Sequence, residues 1–282
     1  MAVLLPMDIE NGLKESLERH LKSPDGETPP NLEASIRYSL LAPGKRIRPR
    51  LAIVCAQMIQ LPQAAVLPAA YAIEMIHCFT LIHDDLPCMD NDNFRRGKPS
   101  NHKVYGDGIA LLAGDALMAL AVDVYLDAKP YVSPDGLIQG LKRLSWAMGP
   151  RGVIGGQGFE PLLTSESPLS LLRQMHAQKT GALFSASLLI PMDLAGISQD
   201  SSQGLAIDAF ARELGLAFQV ADDIDDAEES HSPTSILHFI SVEEAKKMTR
   251  HSLESAAKSL TSHWKEAAQP LVHIAEEVLR KL

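Results

Sequence analysis

The chain has 282 residues, of which 46% are apolar and only 5% aromatic, and its formal net charge is −9 with a pI near 5.6. That acidic balance excludes a general nucleic-acid binder, because no basic field gathers phosphates over a broad surface. Three cysteines, Cys55, Cys78 and Cys88, make no CxxC pair, and their odd number argues against a disulfide framework, so a reducing, cytoplasmic setting is expected.

No Ser/Gly/Pro-rich linker and no block of charge divides the sequence, so residues 1–282 are expected to form one domain, large enough to enclose a deep pocket. Ala, Leu, Met, Glu and Lys are abundant and runs of β-branched residues are few, which favours helix over sheet. The expected fold class is all-α.

Hydrophobic periodicity predicts a first helix over 7–22. The residues before it, MAVLLP, form too short an apolar run and carry no basic leader, so they do not read as a secretory signal. PDGETPP at 24–30 precedes a helix at 31–42, and APG at 42–44 ends it. GKRIRPR at 44–50 then opens the third helix, 46–60, with Lys45, Arg46, Arg48 and Arg50 in position to line the entry of a cavity. Taken alone, such a cluster is a solvated basic turn.

The fourth helix, 63–86, runs into LIHDDLPCMDNDNFRRG at 81–97, which holds Asp84, Asp85, Asp90 and Asp92. Two like charges about 4 Å apart repel by roughly 4 kcal/mol at a surface-like dielectric, so convergent aspartates need cations. Asp84 and Asp90 are six apart and would face different sides of a straight helix. Pro87 lacks an N–H and disfavours helix at Leu86, so the helix should end there and let Asp90 fold back. Magnesium suits the result, since it takes one or two carboxylates, waters and phosphate oxygens. Arg95 and Arg96 follow directly. His77, upstream on the same helix, reads alone as a core histidine.

A helix over 108–127 contains GIALLAGDALMALAVDVYL, whose Asp115 and Asp123 mark it as a buried helix rather than a membrane span. Further helices are predicted over 134–148 and 168–193. The second of these carries Lys179 and Thr180 in an apolar run, beside Gly181, which permits a kink or a close backbone approach. The helix over 201–227 ends in DDIDD, where Asp222 and Asp226 are four apart and share one face. Helices over 241–262 and 264–281 complete the chain.

Both aspartate motifs close long apolar helices, facing the negative end of the macrodipole, an arrangement that a bound cation relieves. Each motif alone reads as a capped, solvated helix end. Aspartates alone point to a metal and basic residues alone to phosphate; together they point to ionisation of a diphosphate.

GKRIRP, LIHDDLPCMDNDNFRRGKP, GDAL, GGQ, KTGALF and GLAFQVADDIDD, in this order from about residue 31 to 226, resemble the short-chain trans-isoprenyl diphosphate synthases, most closely the bacterial farnesyl diphosphate synthases. The resemblance implies helices around a deep central cavity, usually in a homodimer, and head-to-tail condensation of isopentenyl diphosphate onto an allylic diphosphate. It implies three Mg²⁺ ions with substrate bound. Asp84 and Asp90, supported by Asp85, would hold two of them, and Asp222, helped by Asp226, the third. Arg95 and Lys179 would bind the allylic diphosphate; Lys45, Arg48, His77 and Arg96 would bind isopentenyl diphosphate. Thr180 and Gln219 would present oxygens to the allylic cation, and Phe218 would pack on the isopentenyl side. The departing pyrophosphate would take the proton. Phe79, five residues before Asp84, with the smaller Thr80 beside it, would set the floor of the tail pocket in a C15-producing pattern.

Two departures stand out. Members of this family carry a basic loop after the second motif, whereas here no lysine occurs between Asp226 and Lys246, and His231 and His238 are poor substitutes for one. GGQGFEP also places Glu160 where an aspartate is usual. The sequence therefore leaves open a C15 synthase, a C10 or C20 synthase, and a catalytically weakened regulatory or partner subunit. A terpene cyclase fits less well, having no need of an isopentenyl diphosphate site built from GKRIRP, His77 and Arg96.

Overall fold

In the computed structural model, which describes residues 6–23, 26–225 and 232–282, the chain is all-α, as its composition predicts. Extended structure among these residues is limited to two antiparallel ladders, each of two-residue strands. The packing resolves into two compact units, Met1–Ile53 with Pro62–Leu137 and Val54–Leu61 with Ile138–Leu282.

The first unit contains α1 (Pro6–Leu21), α2 (Pro30–Leu40), the start of α3 (Ile47–Met58), α4 (Gln63–Asp84), α5 (Asn101–Tyr105) and α6 (Asp107–Leu126). In α1, Ile9, Leu13, Leu17 and Leu21 recur every four residues and are all buried, the stripe an amphipathic helix turns to its core. α4 and α6 pack along each other at the centre of the unit.

α6 departs from the expectation of a buried helix. Ala113, Leu117, Ala121 and Val124 are buried, but Leu111 and Leu112 are 46% and 51% exposed and Leu126 is 40% exposed. α4 and the stretch Asp107–Tyr131 are each long and apolar enough, by length and composition, to cross a membrane. In α4 two thirds of that apolar window is buried within the protein, the mark of a core helix; in the second stretch 39% is.

The second unit contains the end of α3, most of α7 (Pro134–Met148), α8 (Val153–Phe159), α9 (Leu169–His176), α10 (Ala182–Leu194), α11 (Ser202–Asp225), α12 (Val242–Trp264) and α13 (Gln269–Leu279). Every residue of α10 is buried, and α11 packs on it with Ile207, Phe210, Leu214 and Ala217 inward. α12 lies along α11 and begins with a capping box, in which the Ser241 hydroxyl accepts from the Glu244 N–H and the Glu244 carboxylate accepts from the Ser241 N–H. The helix predicted over 168–193 is divided: a π-helical turn, Ala177–Gly181, separates α9 from α10. α5 and α8, of five and seven residues, go unpredicted because a helix so short shows no full period of its pattern.

Candidate functional site

α4 ends at Asp84, with Asp85 as its cap, two residues before the predicted end. The proline ring at 87 crowds the turn behind it, and the chain reverses: Met89 and Asn91 N–H groups donate to the Leu86 carbonyl, and the Asp90 N–H donates to the Asp84 carbonyl at 2.9 Å. Asp90 thus folds back beside Asp84, as the proline predicts. Asp84 is half-buried and Asp90 exposed.

Asp85 faces the other way. It is 2% exposed, and its Oδ1 accepts from Arg95 Nε at 2.9 Å and from Nη2, while a third Arg95 bond, also from Nη2, reaches Asp92 Oδ2 at 2.8 Å. Burial pushes the Asp85 carboxyl above the usual carboxylate range, and the Arg95 bonds offset this only in part. The short ladder Phe94–Arg95 with Lys98–Pro99 carries Arg95 back over the motif. Asp92 is a site residue the motif spacing did not single out.

The structure also gathers the basic residues of this unit. The Arg96 guanidinium reaches Gly44, where an added Cβ would lie 2.9 Å from Nη1, so it sits beside the exposed Lys45. Burial first, and then the charges of Arg48 and Arg96, hold the half-buried His77 imidazole well below the usual histidine range. Arg48, His77 and Arg96 therefore share one neighbourhood, as the sequence suggests. Arg46 lines a small pocket with Arg95 and Arg96, but as a buried residue rather than one exposed at an entrance. It is 3% exposed, with a positive φ of 49°, and donates to Glu74 Oε1 and to the Leu40 and Ala42 carbonyls. Phe79, 3% exposed, meets the His83 ring edge-on at 5.7 Å, and the Thr80 hydroxyl donates to the His77 carbonyl.

In the second unit, Lys179 lies in the π turn, and Nζ bonds Glu160 Oε2 at 2.5 Å, which also accepts from Gln157 Nε2 at 2.7 Å. The glycines of GGQ make this possible: a Cβ on Gly156 would stand 2.1 Å from the Lys179 backbone nitrogen, so only glycine lets α8 approach the turn. Thr180 Oγ1 donates to Gln219 Oε1 at 2.7 Å, Gln219 Nε2 donates to Asp223 Oδ1 at 2.8 Å, and the Ile236 N–H donates to Asp223 Oδ2 at 2.7 Å. Glu160, His176, Lys179, Gln219, Asp223 and Thr234 line a polar cleft of about 160 Å³. His176, 4% exposed, makes a 2.9 Å contact from Nε2 to the Thr234 carbonyl. Asp223 and His176 went unnoticed in the sequence, since neither stands out by spacing.

Asp222 is half-buried near the end of α11. Asp226 and His231 lie outside the described residues. The Phe218 ring packs on Phe184 with centroids 5.2 Å apart. Lys281 Nζ is 3.6 Å from Asp225 and 5.9 Å from the centre of the Phe218 ring. His238 stacks edge-on with Phe239.

Among the described residues no group of three or more His, Cys, Asp or Glu side chains is arranged to hold a metal. In the first unit Asp84 and Asp90 offer hard carboxylate oxygens at the end of α4, and in the second Asp222 offers one near the end of α11; each is a donor type that fits magnesium with most of its shell left to water and phosphate.

A family model described as Polyprenyl synthetase matches residues 29–235. The geranylgeranyl pyrophosphate synthase 7, chloroplastic, of Arabidopsis thaliana is 43% identical over 208 residues, 72% of this chain and 58% of its own length. The chain thus spans less than two thirds of that relative. A geranylgeranyl pyrophosphate synthase, chloroplastic, of Capsicum annuum is 36% identical over 262 residues, 88% of this chain and 70% of its own. The solved structure of an FPP/GFPP synthase from Zymomonas mobilis superposes with a TM-score of 0.86 at 33% identity, covering 97% of this chain and 95% of that one.

Proposed function

We propose a function on the premise that this chain belongs to the polyprenyl synthetase family: it is a prenyltransferase that condenses isopentenyl diphosphate head-to-tail with dimethylallyl or geranyl diphosphate, giving (2E,6E)-farnesyl diphosphate and pyrophosphate. The observation that carries the reading is the reversal at Pro87, which sets Asp90 against Asp84 with Arg95 held just behind them by Asp85 and Asp92. Carboxylates and a guanidinium so placed suit a diphosphate bound through cations.

In this reading Asp84 and Asp90 in the first unit, and Asp222 in the second, would hold Mg²⁺, which when bound would supply positive charge to a leaving diphosphate. Arg95 and Lys179 serve the allylic diphosphate, and Lys45, Arg48, His77 and Arg96 the isopentenyl diphosphate. Phe218 packs on the isopentenyl side, and Thr180 and Gln219 face the allylic cation. Glu160 holds Lys179 in place in the absence of substrate. The apolar face of α6 with Leu111 and Leu112 suits a homodimer contact, since exposed apolar surface of this kind marks an interaction site. The chain acts in the cytoplasm.

Phe79 supports a C15 product, being bulky and fixed in the core of α4. A C20 product is the competing length, because both plant relatives above bear the name geranylgeranyl pyrophosphate synthase. A catalytically weakened subunit is favoured by one feature, the want of any lysine between Asp226 and Lys246.

The test is product analysis by mass after incubation with Mg²⁺, isopentenyl diphosphate and each allylic primer in turn. A dominant C15 product supports the proposal; a C20 product moves the length assignment; no product with any primer, from protein that still binds diphosphate, favours the subunit reading.

A further inference from the structure

The second aspartate of the DDIDD motif is bonded unlike a metal ligand. Both Asp223 oxygens are engaged by protein donors, Oδ1 by Gln219 Nε2 at 2.8 Å and Oδ2 by the Ile236 N–H at 2.7 Å, and the side chain is largely buried at the foot of a polar cleft. A carboxylate that takes two N–H donors can only accept. Gln219 must therefore turn its NH₂ toward Asp223 and its carbonyl oxygen toward Thr180, whose hydroxyl donates to it at 2.7 Å. The direction of the whole chain, Thr180 to Gln219 to Asp223, follows from the one group that cannot donate.

We propose that Asp223 is a positioning residue that fixes the polarity of this hydrogen-bond chain, so that Thr180 points its hydroxyl proton at Gln219 and only its lone pairs elsewhere. The inference rests on the reading of Thr180 and Gln219 as groups facing an allylic cation. A hydroxyl whose proton is engaged presents electron density to a developing positive charge, whereas one whose proton is free opposes it. The Ile236 bond adds a second consequence. Ile236 opens the short turn Ile236–His238 downstream of DDIDD, so the residue that orients Gln219 also anchors the chain there.

Asp223→Asn separates polarity from shape. The introduced amide can still accept from the Ile236 N–H with its oxygen, but then aims an NH₂ at Gln219. Gln219 must turn over, donating to the Thr180 hydroxyl, whose proton is then released. Adding Gln219→Glu to that variant restores an acceptor on both sides and returns the Thr180 proton to position 219, with the same net charge as the parent.

Asp223→Asn is expected to lower kcat about tenfold or more with both KM values within about twofold, the pattern of an interaction realised in the transition state. The double variant Asp223→Asn/Gln219→Glu is expected to recover most of that loss, and thermal unfolding of all three proteins should agree closely. Unchanged kcat in Asp223→Asn, or a double variant no faster than the single, overturns the proposal. The Gln219 side-chain amide, observed by NMR in the substrate-free protein, gives a readout apart from turnover. A downfield amide proton that moves upfield in Asp223→Asn supports the polarity, and an unmoved one overturns it. Should the parent transfer no prenyl group to any primer, the functional reading fails while the amide signal still decides the hydrogen-bond chain.

Discussion

The Asp90 N–H donates to the Asp84 carbonyl at 2.9 Å, so the outer aspartates of the first motif are tied together through the backbone. The tie runs through the backbone alone, so replacing either side chain keeps it. Asp84→Ala and Asp90→Ala are each expected to lower kcat/KM by about a hundredfold or more, on the scale of lost electrostatic stabilisation of a leaving group. Stability should change by only about 1 kcal/mol or less, since the side chains are not in the core. Kinetics across a magnesium titration, with denaturation of the same proteins, checks this; parent-like activity in Asp84→Ala removes the metal assignment.

Much of this site was legible because the responsible signals are local. Pro87 acts on its own helix end, Gly181 lies in the turn it permits, and Asp84, Asp85 and Arg95 belong to one short stretch of chain. Long-range pairing was not legible. Nothing in the order of residues says that Glu160 reaches Lys179, that Gly156 must make room for Lys179, or that Asp223 receives the Ile236 N–H. The basic cluster at 44–50 shows the same limit within a few residues: Lys45 is exposed, while Arg46, in the left-handed region, turns inward to Glu74.

That inward turn makes Arg46 a structural residue. Glu74 is 2% exposed and pairs with the Arg46 guanidinium, so Arg46→Met strands a buried carboxylate and should cost about 3–5 kcal/mol. The double change Arg46→Met/Glu74→Leu should recover most of this, because two apolar side chains need no partner. Urea unfolding of the three proteins decides; a single variant as stable as the parent shows that the pair carries no such load.

Phe79 is expected to limit product length. Its ring is backed by His83, which enters α6 where Gly114 has no Cβ; one placed there would stand 2.1 Å from His83 Nε2. The wall behind Phe79 is therefore stiff, and shortening the ring opens space that the neighbours cannot refill. Phe79→Ala should shift the product toward C20 while costing about 3–5 kcal/mol of stability; Phe79→Leu should give the same shift in smaller measure with less destabilisation. Chromatography of the products from geranyl diphosphate reads the result, and an unchanged product spectrum in both variants rejects Phe79 as the floor.

His77 provides the pH dependence. Burial, with the charges of Arg48, Arg96, Arg46 and Arg95, holds its pKa well below the usual range, whereas in the unfolded chain it titrates near about 6.5. Above that value neither state binds a proton at this site and its full contribution to stability is present. As the pH falls below about 6.5 the unfolded chain takes up a proton that the folded one refuses, so stability is lost down to the folded pKa. The melting temperature should therefore fall between about pH 7 and pH 5, and His77→Gln, which cannot titrate, should fall less over the same interval. Carboxylates elsewhere act equally on both proteins, so the difference between the two curves isolates His77. Parallel curves for parent and His77→Gln would show that the imidazole is as free to protonate in the fold as outside it.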